Sequence, residues 1–165
     1  MATPTTLPAT FVAGAVLTAA QQNALRGAFR ILQVVSGTTS TIVNSSSTTL
    51  ADSGLTATIT PSATSSKVLV FVSQSIVKNS GNSLNAVKLE LLRGASSIAV
   101  IGGALLYTAT DLTNIGQAGI CYLDSPATIA ATTYKTQFAN YNASASVGVQ
   151  PNNSLATMIL MEVSA

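Results

Sequence analysis

The feature that most constrains this 165-residue chain is a pattern that begins at Ile31, where short runs of Val, Ile, Leu and Thr alternate with clusters of Ser, Thr, Gly, Asn and Asp. Many short apolar runs at even spacing, separated by turn-forming residues, are typical of an all-β sandwich. We predict eight or nine strands, near residues 31–36, 55–60, 67–77, 85–93, 97–107, 115–124, 132–141, 145–150 and 155–163.

The breaks between these runs contain residues with a chemical reason to turn the chain. Residues that tolerate a positive φ or preset a turn occur in Asp52-Ser53-Gly54, Ser80-Gly81-Asn82 and Pro151-Asn152-Asn153. Pro61 lacks an amide donor and should end a strand. The Ser- and Thr-rich stretches TTSTIVNSSSTT and TPSATSS are predicted to be loops or sheet edges.

One strand should have a single wet face. In the run at 85–93, Val87, Leu89 and Leu91 alternate with Lys88 and Glu90. Because successive side chains of a strand point to opposite faces, this alternation predicts one buried and one solvated face.

Two other strands are apolar on both faces. In the run at 67–77, Val68, Val70 and Val72 alternate with Leu69 and Phe71. The last strand has Leu155, Ile159, Met161 and Val163 opposite Ala156, Met158 and Leu160. A two-layer sandwich covers one face of each sheet, so these strands require a further layer. That layer is either a neighbouring subunit or the N-terminal arm of the same chain.

Residues 1–30 differ from the rest of the chain. Pro4 and Pro8 keep the start extended, and Thr18 can cap a short helix over Ala19–Phe29. This helix either closes one end of the domain or forms part of a docking arm. For a docking arm, the candidate partner-binding residues are Phe11, Val12, Val16, Leu17, Leu25 and Phe29.

We do not expect the first apolar stretch to be a secretion signal, because no Lys or Arg precedes Arg26. The longest apolar segments are also too short to span a membrane. We therefore expect a soluble chain, or one that becomes part of a soluble assembly.

The residue types that are missing exclude most catalytic chemistry. With no His and one Cys, the chain has no Ser-His-Asp triad, no Cys-His dyad, no zinc set and no internal disulfide. We predict no metal and no cofactor, and we expect Cys121, in the apolar run Ile120 to Leu123, to be a buried, inert thiol. A net charge of +2 without a Lys/Arg cluster gives no indication of nucleic-acid binding.

The carboxylates are too scattered to predict a hydrolase. Two carboxylates at a fixed separation could cleave a glycoside, but Asp52, Asp111 and Asp124 all suit backbone-bonding turn residues. Glu90 should point outward beside Lys88. We predict that the protein is not an enzyme.

Tyrosines offer a different function. Tyr107, Tyr122, Tyr134 and Tyr141 could stack on sugar rings if they reached a common surface, although tyrosines in strands more often pack against the core. A host-surface adhesin that binds carbohydrate through loops such as 108–114 and 140–146 is therefore the alternative function.

Several segments together resemble a recurring module in virion structural proteins of tailed bacteriophages, including marine and cyanobacterial ones. They are FVAGAVLTAAQQNALRGAFRILQVV, ITPSATSSKVLV, LDSPAT with TYKTQFA, and the ending MEV. The resemblance implies a jelly-roll-like antiparallel β-sandwich of about eight strands with a short N-terminal arm and helix. It also implies a homotrimer without enzymatic activity.

The resemblance further implies a place on the phage particle, as a capsid decoration or as a small tail or fibre component. Residues 1–30 would attach the protein and residues 31–165 would form the sandwich. The expected partners are copies of the chain itself, phage capsid or tail proteins and, for the adhesin alternative, a host-surface glycan. The protein would be made in the host cytoplasm and assembled on the virion.

Overall fold

The computed structural model describes Val16, Thr18, Ala19, residues 31–142 and residues 144–164. Ten strands account for most of this part of the chain. They are β1 (Ile31–Thr39), β2 (Val43–Ser45), β3 (Ala51–Ile59), β4 (Lys67–Lys78), β5 (Val87–Arg93), β6 (Ser96–Leu105), β7 (Asn114–Asp124), β8 (Thr132–Asn140), β9 (Val147–Val149) and β10 (Ala156–Val163). Within this part of the chain, a 3-10 turn at Pro151–Asn153 joins β9 to β10.

The strands form two antiparallel sheets. In sheet A, β4 pairs with β10 and β9 on one side and with β7 on the other, while β1 pairs with β10 and β2 pairs with β9. Sheet B has the order β3-β8-β5-β6. If β1–β2 and β9–β10 are each counted as one interrupted strand, both sheets have four strands in the jelly-roll order. The predicted all-β, jelly-roll-like sandwich is confirmed.

The turn chemistry was predicted correctly at two of three places. Gly81 (φ 118°), Asn152 (φ 55°) and Asn153 (φ 55°) all have the positive φ expected of turn residues. The prediction of a turn at Asp52-Ser53-Gly54 is wrong. These residues lie inside β3, where Gly54 has φ 84° and the pairing with β8 shifts register, so the permissive glycine forms a bulge instead.

The interior has two apolar clusters with a row of buried polar side chains between the sheets. Ser53 Oγ lies 2.5 Å from Thr136 Oγ1, and Thr136 Oγ1 donates to Gln74 Oε1 at 2.9 Å. With the Gln150 amide oriented to suit its neighbours, Gln74 Nε2 donates to Gln150 Oε1 at 2.6 Å. All four residues are fully buried, so the row links sheet B to sheet A with satisfied polar groups.

A further polar anchor lies near the start of β1. The buried carboxylate of Glu162 accepts hydrogen bonds from Ser62 N (2.7 Å), Ser62 Oγ (2.6 Å) and Gln33 Nε2 (2.6 Å). Burial alone would raise the pKa of Glu162, but these hydrogen bonds together hold it below its ordinary value. Glu162 therefore remains ionised inside the protein and ties β10 and β1 to the loop after β3.

Gly37 lets β1 approach β3 at the edge of the sandwich. A Cβ at this position would lie 1.9 Å from the Thr56 carbonyl oxygen, which belongs to a paired strand and cannot easily move. We expect Gly37→Ala to lower the free energy of unfolding by about 2 kcal/mol, as measured by urea denaturation.

Gly103→Ala is the matched control, because a Cβ there meets nothing within 4 Å. Its free energy of unfolding should change by less than about 1 kcal/mol. Equal losses in the two variants would contradict the close approach of β1 to β3.

The N-terminal predictions fall almost entirely outside the described residues. Ala19 has helical backbone, but the remainder of the predicted helix lies outside the described part of the chain, so that helix stays a prediction. Within the residues described, no helix is long and apolar enough to cross a membrane.

Candidate functional site

The two sheets present very different outer faces. The outer face of sheet B has charged residues on its two inner strands and on one edge strand, namely Asp52, Lys88, Glu90 and Lys135. Lys135 Nζ lies 2.7 Å from Asp52 Oδ1, and this hydrogen bond lowers the pKa of Asp52. The predicted outward position of Glu90 is confirmed, since it accepts a hydrogen bond from the exposed Ser97 hydroxyl. The outer face of sheet B is therefore suited to remain exposed to solvent.

Sheet A has two adjacent apolar rows on its outer face, each running across four strands. The first row is Val34, Met161, Leu69 and Leu123, and the second is Ser36, Ile159, Phe71 and Cys121. We call the seven residues other than Ser36 the apolar face. Val34 is 57% exposed and Leu123 is 56% exposed. The next row, of Thr38, Thr157, Ser73 and Gly119, is polar or small.

This arrangement confirms the two-sided apolar pattern of β4 and β10. Val68 and Val70 are fully buried between the sheets, whereas Leu69 and Phe71 keep part of their surface exposed on the apolar face. Contiguous exposed apolar surface on a folded domain makes this face a candidate binding surface. Lys67, at the margin of sheet A, donates to Ser125 Oγ at 2.6 Å.

The prediction of a buried Cys121 is wrong. Its thiol is exposed on the apolar face, opposite Phe71 in the register of β7 and β4. The run Ile120 to Leu123 is apolar on both faces of the strand, and Ile120 and Tyr122 are the residues that pack against the core. The alternation of side chains along the strand could not show whether Ile120 and Tyr122 or Cys121 and Leu123 point toward the core.

Asp124 is also not the turn residue that its Ser-Pro neighbours suggested. It ends β7, is 5% exposed, and both of its carboxylate oxygens lie within 3.0 Å of Arg93 Nη1. The buried Tyr134 hydroxyl donates to Asp124 Oδ2 at 2.6 Å. Burial, reinforced by this carboxylate, raises the pKa of Tyr134 far above its ordinary value, so its hydroxyl stays protonated.

Asp111 and Asp124 do not form a catalytic pair within one chain. Asp111 lies in the loop before β7 and Asp124 is the last residue of β7, an 11-residue strand about 33 Å long, whereas glycosidase carboxylates lie about 5–9.5 Å apart. Asp111 is the backbone-bonding loop residue that was predicted, because its carboxylate accepts from Gly81 N. The described residues contain no group of three or more His, Cys, Asp or Glu that could hold a metal ion.

Two of the four tyrosines share a groove at one end of the sandwich. Tyr107 follows β6 and Tyr141 follows β8, and with Leu84, Ala104 and Asn142 they line a depression of about 560 Å³. We call these five residues the tyrosine groove. Tyr134 is buried and Tyr122 packs against the core, as is usual for tyrosines in strands.

Of the six candidate partner-binding residues, the structure describes Val16, which is 91% exposed. The other five, Phe11, Val12, Leu17, Leu25 and Phe29, lie outside the described residues. The sequence did not identify Val34, Cys121 and Leu123 as members of an exposed surface, nor Leu84 and Ala104 as members of a groove. Their positions depend on strand pairing, and no local motif marks them.

No protein-family model matches this chain, and no curated protein matches it. The structure by itself defines the class, an antiparallel jelly-roll-type sandwich in which one sheet has a charged outer face and the other an apolar one.

Proposed function

We propose that the chain is a non-enzymatic structural protein of a tailed-bacteriophage virion. In this proposal the sandwich forms a homotrimeric knob through the apolar face, and residues 1–30 attach it to the capsid or the tail. The observation that carries the proposal is the pair of exposed apolar rows on sheet A. The trimeric number and the phage setting rest on the resemblance of the sequence.

The difference between the two outer faces supports self-association. Apolar surface removed from water contributes about 25 cal/mol per Å², so two rows of large side chains provide a driving force that the charged face of sheet B lacks. Permanent interfaces are depleted of charge at their centre, as the apolar face is. A second copy of the chain is the partner that is always present at the same concentration.

The first measurement is the mass of the purified full-length chain in solution, by native mass spectrometry and light scattering. We expect a species of three times 16.7 kDa. A monomer that stays soluble and stable at micromolar concentration would overturn the proposal.

The labelling rate of the native thiol tests whether the copies meet at the apolar face. Cys121 is the only cysteine of the chain and lies on the apolar face, so a maleimide should label it slowly in the assembled protein and quickly once the copies separate. The control is Val100→Cys in a Cys121→Ser background, because Val100 is 62% exposed on β6 of sheet B. Equal labelling rates at the two positions would contradict an interface on sheet A.

The number of copies per particle distinguishes the two locations within the virion. Hundreds of copies would identify a capsid decoration, and a few to a few dozen would identify a tail component. A whole-particle reconstruction gives this number together with the neighbouring protein.

A further inference from the structure

Three loops meet at the end of the sandwich that contains the tyrosine groove, and buried polar side chains hold them together. The loop after β4 contributes Leu84, the segment after β6 contributes Tyr107, and the loop after β8 contributes Tyr141 and Asn142. Adjacent loops at the end of a rigid β-sandwich are a common place for binding sites.

Lys78 fixes the distance between the first two loops. Its fully buried ammonium group donates to the carbonyl oxygens of Ser83 (3.2 Å), Thr108 (3.0 Å) and Thr110 (2.9 Å) and to Thr108 Oγ1 (2.9 Å). Ser83 and Thr108 are the direct neighbours of Leu84 and Tyr107 in the groove. Within the described residues no carboxylate forms an ion pair with Lys78. The ammonium is therefore satisfied only while the two loops keep this arrangement.

The third loop is held by buried amides. Asn85 Nδ2 donates to the Ser146 carbonyl at 2.7 Å, and the Asn140 amide donates to the Ala145 carbonyl. Tyr141 N donates to the Ala86 carbonyl at 2.8 Å, and Asn82 Nδ2 donates to Ser144 Oγ. The groove is consequently preformed, which reduces the entropy lost when a ligand binds.

A left-handed backbone conformation at Leu106 directly precedes Tyr107 of the groove. Leu106 has φ 61°, a conformation that is unfavourable for a residue with a branched side chain, and its side chain packs against the core cluster below. With Leu106 directed inward at the end of β6, the next residue, Tyr107, is left 48% exposed. Tyr141 is 55% exposed on the opposite loop.

We propose that the tyrosine groove binds neutral saccharides, with a pyranose ring stacked on the tyrosines and its hydroxyl groups bonded to the Asn142 amide. The groove is lined by two aromatic rings, two aliphatic side chains and an amide, and none of these is charged. Tyrosine presents an apolar ring face beside a polar hydroxyl, which matches the alternating C–H and O–H surface of a sugar. The volume of the groove, about 560 Å³, lies within the usual range for small-ligand sites.

The polar groups of the groove are available to a ligand. The Asn142 Nδ2 group and the hydroxyls of both groove tyrosines make no hydrogen bond to other described residues. Anionic ligands are disfavoured because Lys78, which binds two of the groove loops, is buried and already donates to four oxygens. This site goes beyond the proposed structural role and does not depend on the apolar face.

The test is an NMR titration of the full-length protein with labelled tyrosine rings. The probes are methyl glucopyranoside, methyl galactopyranoside, maltotetraose and cellotetraose, each to about 50 mM, with N-acetylneuraminic acid and choline as charged probes. We expect at least one neutral probe to shift the Tyr107 and Tyr141 signals and to leave the buried Tyr134 signal unchanged. Tighter binding of a tetrasaccharide than of both methyl glycosides would identify a polysaccharide segment as the ligand, and equal binding would identify a single sugar unit.

Single variants then locate the site. Tyr107→Ala and Tyr141→Ala should each weaken binding of that probe at least tenfold, whereas Tyr107→Phe and Tyr141→Phe should stay within threefold because the ring is kept. Val100→Ala, on β6 but outside the lining of the groove, should have no effect. Absence of any shift with the neutral probes, binding of the charged probes alone, or full binding by both alanine variants would overturn the proposal. None of these outcomes changes the mass expected for the assembled protein, so this test is independent of the test of the proposed function.

Discussion

Replacing Val34 and Leu123 together by lysine is expected to convert the assembled protein into folded monomers. The two residues lie at opposite edges of one cross-strand row of the apolar face, so a copy seated on this row would cover at least one new ammonium group. Burying an unpaired charge costs several kcal/mol, which corresponds to a loss of affinity of more than a hundredfold. Because both side chains are more than half exposed within a single chain, the fold itself should tolerate the change.

The matched control is the double variant Thr58→Lys and Val100→Lys, which adds the same charge at the two edges of sheet B. Both positions are exposed, on the edge strands β3 and β6. Analytical ultracentrifugation should give monomers for the sheet A variant and the mass of the unmodified protein for the control. An assembly that survives the sheet A substitutions, or fails equally in both variants, would exclude the apolar face as the interface.

Removing the Asp124 carboxylate should cause the largest loss of stability. Asp124→Ala leaves the fully buried Tyr134 hydroxyl without its acceptor and Arg93 without its counter-ion at the boundary between the sheets. Because the Arg93 side chain is 34% exposed and can recover some hydration, we expect a decrease in the free energy of unfolding of about 3 kcal/mol.

The control for this variant is Asp52→Ala, which removes a carboxylate from the other ion pair among the described residues. The Asp52 side chain is 60% exposed, and exposed pairs contribute less than about 1 kcal/mol. Urea denaturation at neutral pH measures both. If the two variants lose the same stability, or if Tyr134→Phe in the Asp124→Ala background restores none of it, then the buried network is not the cause.

The strands were predictable because their signal is local. The runs at 67–77 and 115–124 match β4 and β7 to within a residue at each end, since period-two alternation and turn residues act over a few positions. The three-residue strand β2 had no such signal and was predicted only as a loop or sheet edge. The residue types of Asp52 to Gly54 are typical of a turn. The chain stays extended there because β3 pairs with β8 both before and after Gly54.

The candidate surfaces were only partly predictable. The sequence indicated that β4 and β10 are apolar on both faces, but the position of Cys121 depended on which set of side chains β7 turns toward the core. The sequence does not determine whether the tyrosines reach a common surface. Tyr107 and Tyr141 meet because β6 and β8 end at the same side of the sandwich and Lys78 holds the intervening loops.

The sequence by itself determined an all-β chain with an excess of apolar strand surface, because strand alternation and turn chemistry are properties of neighbouring residues. The tertiary structure decided which of two equally apolar faces is buried, since that depends on how strands distant in sequence pair and which sheet they join. It likewise decided that Asp124 is enclosed and that two tyrosines 34 positions apart share a groove. Such contacts are set by the free energy of packing the whole core, and no single segment encodes them.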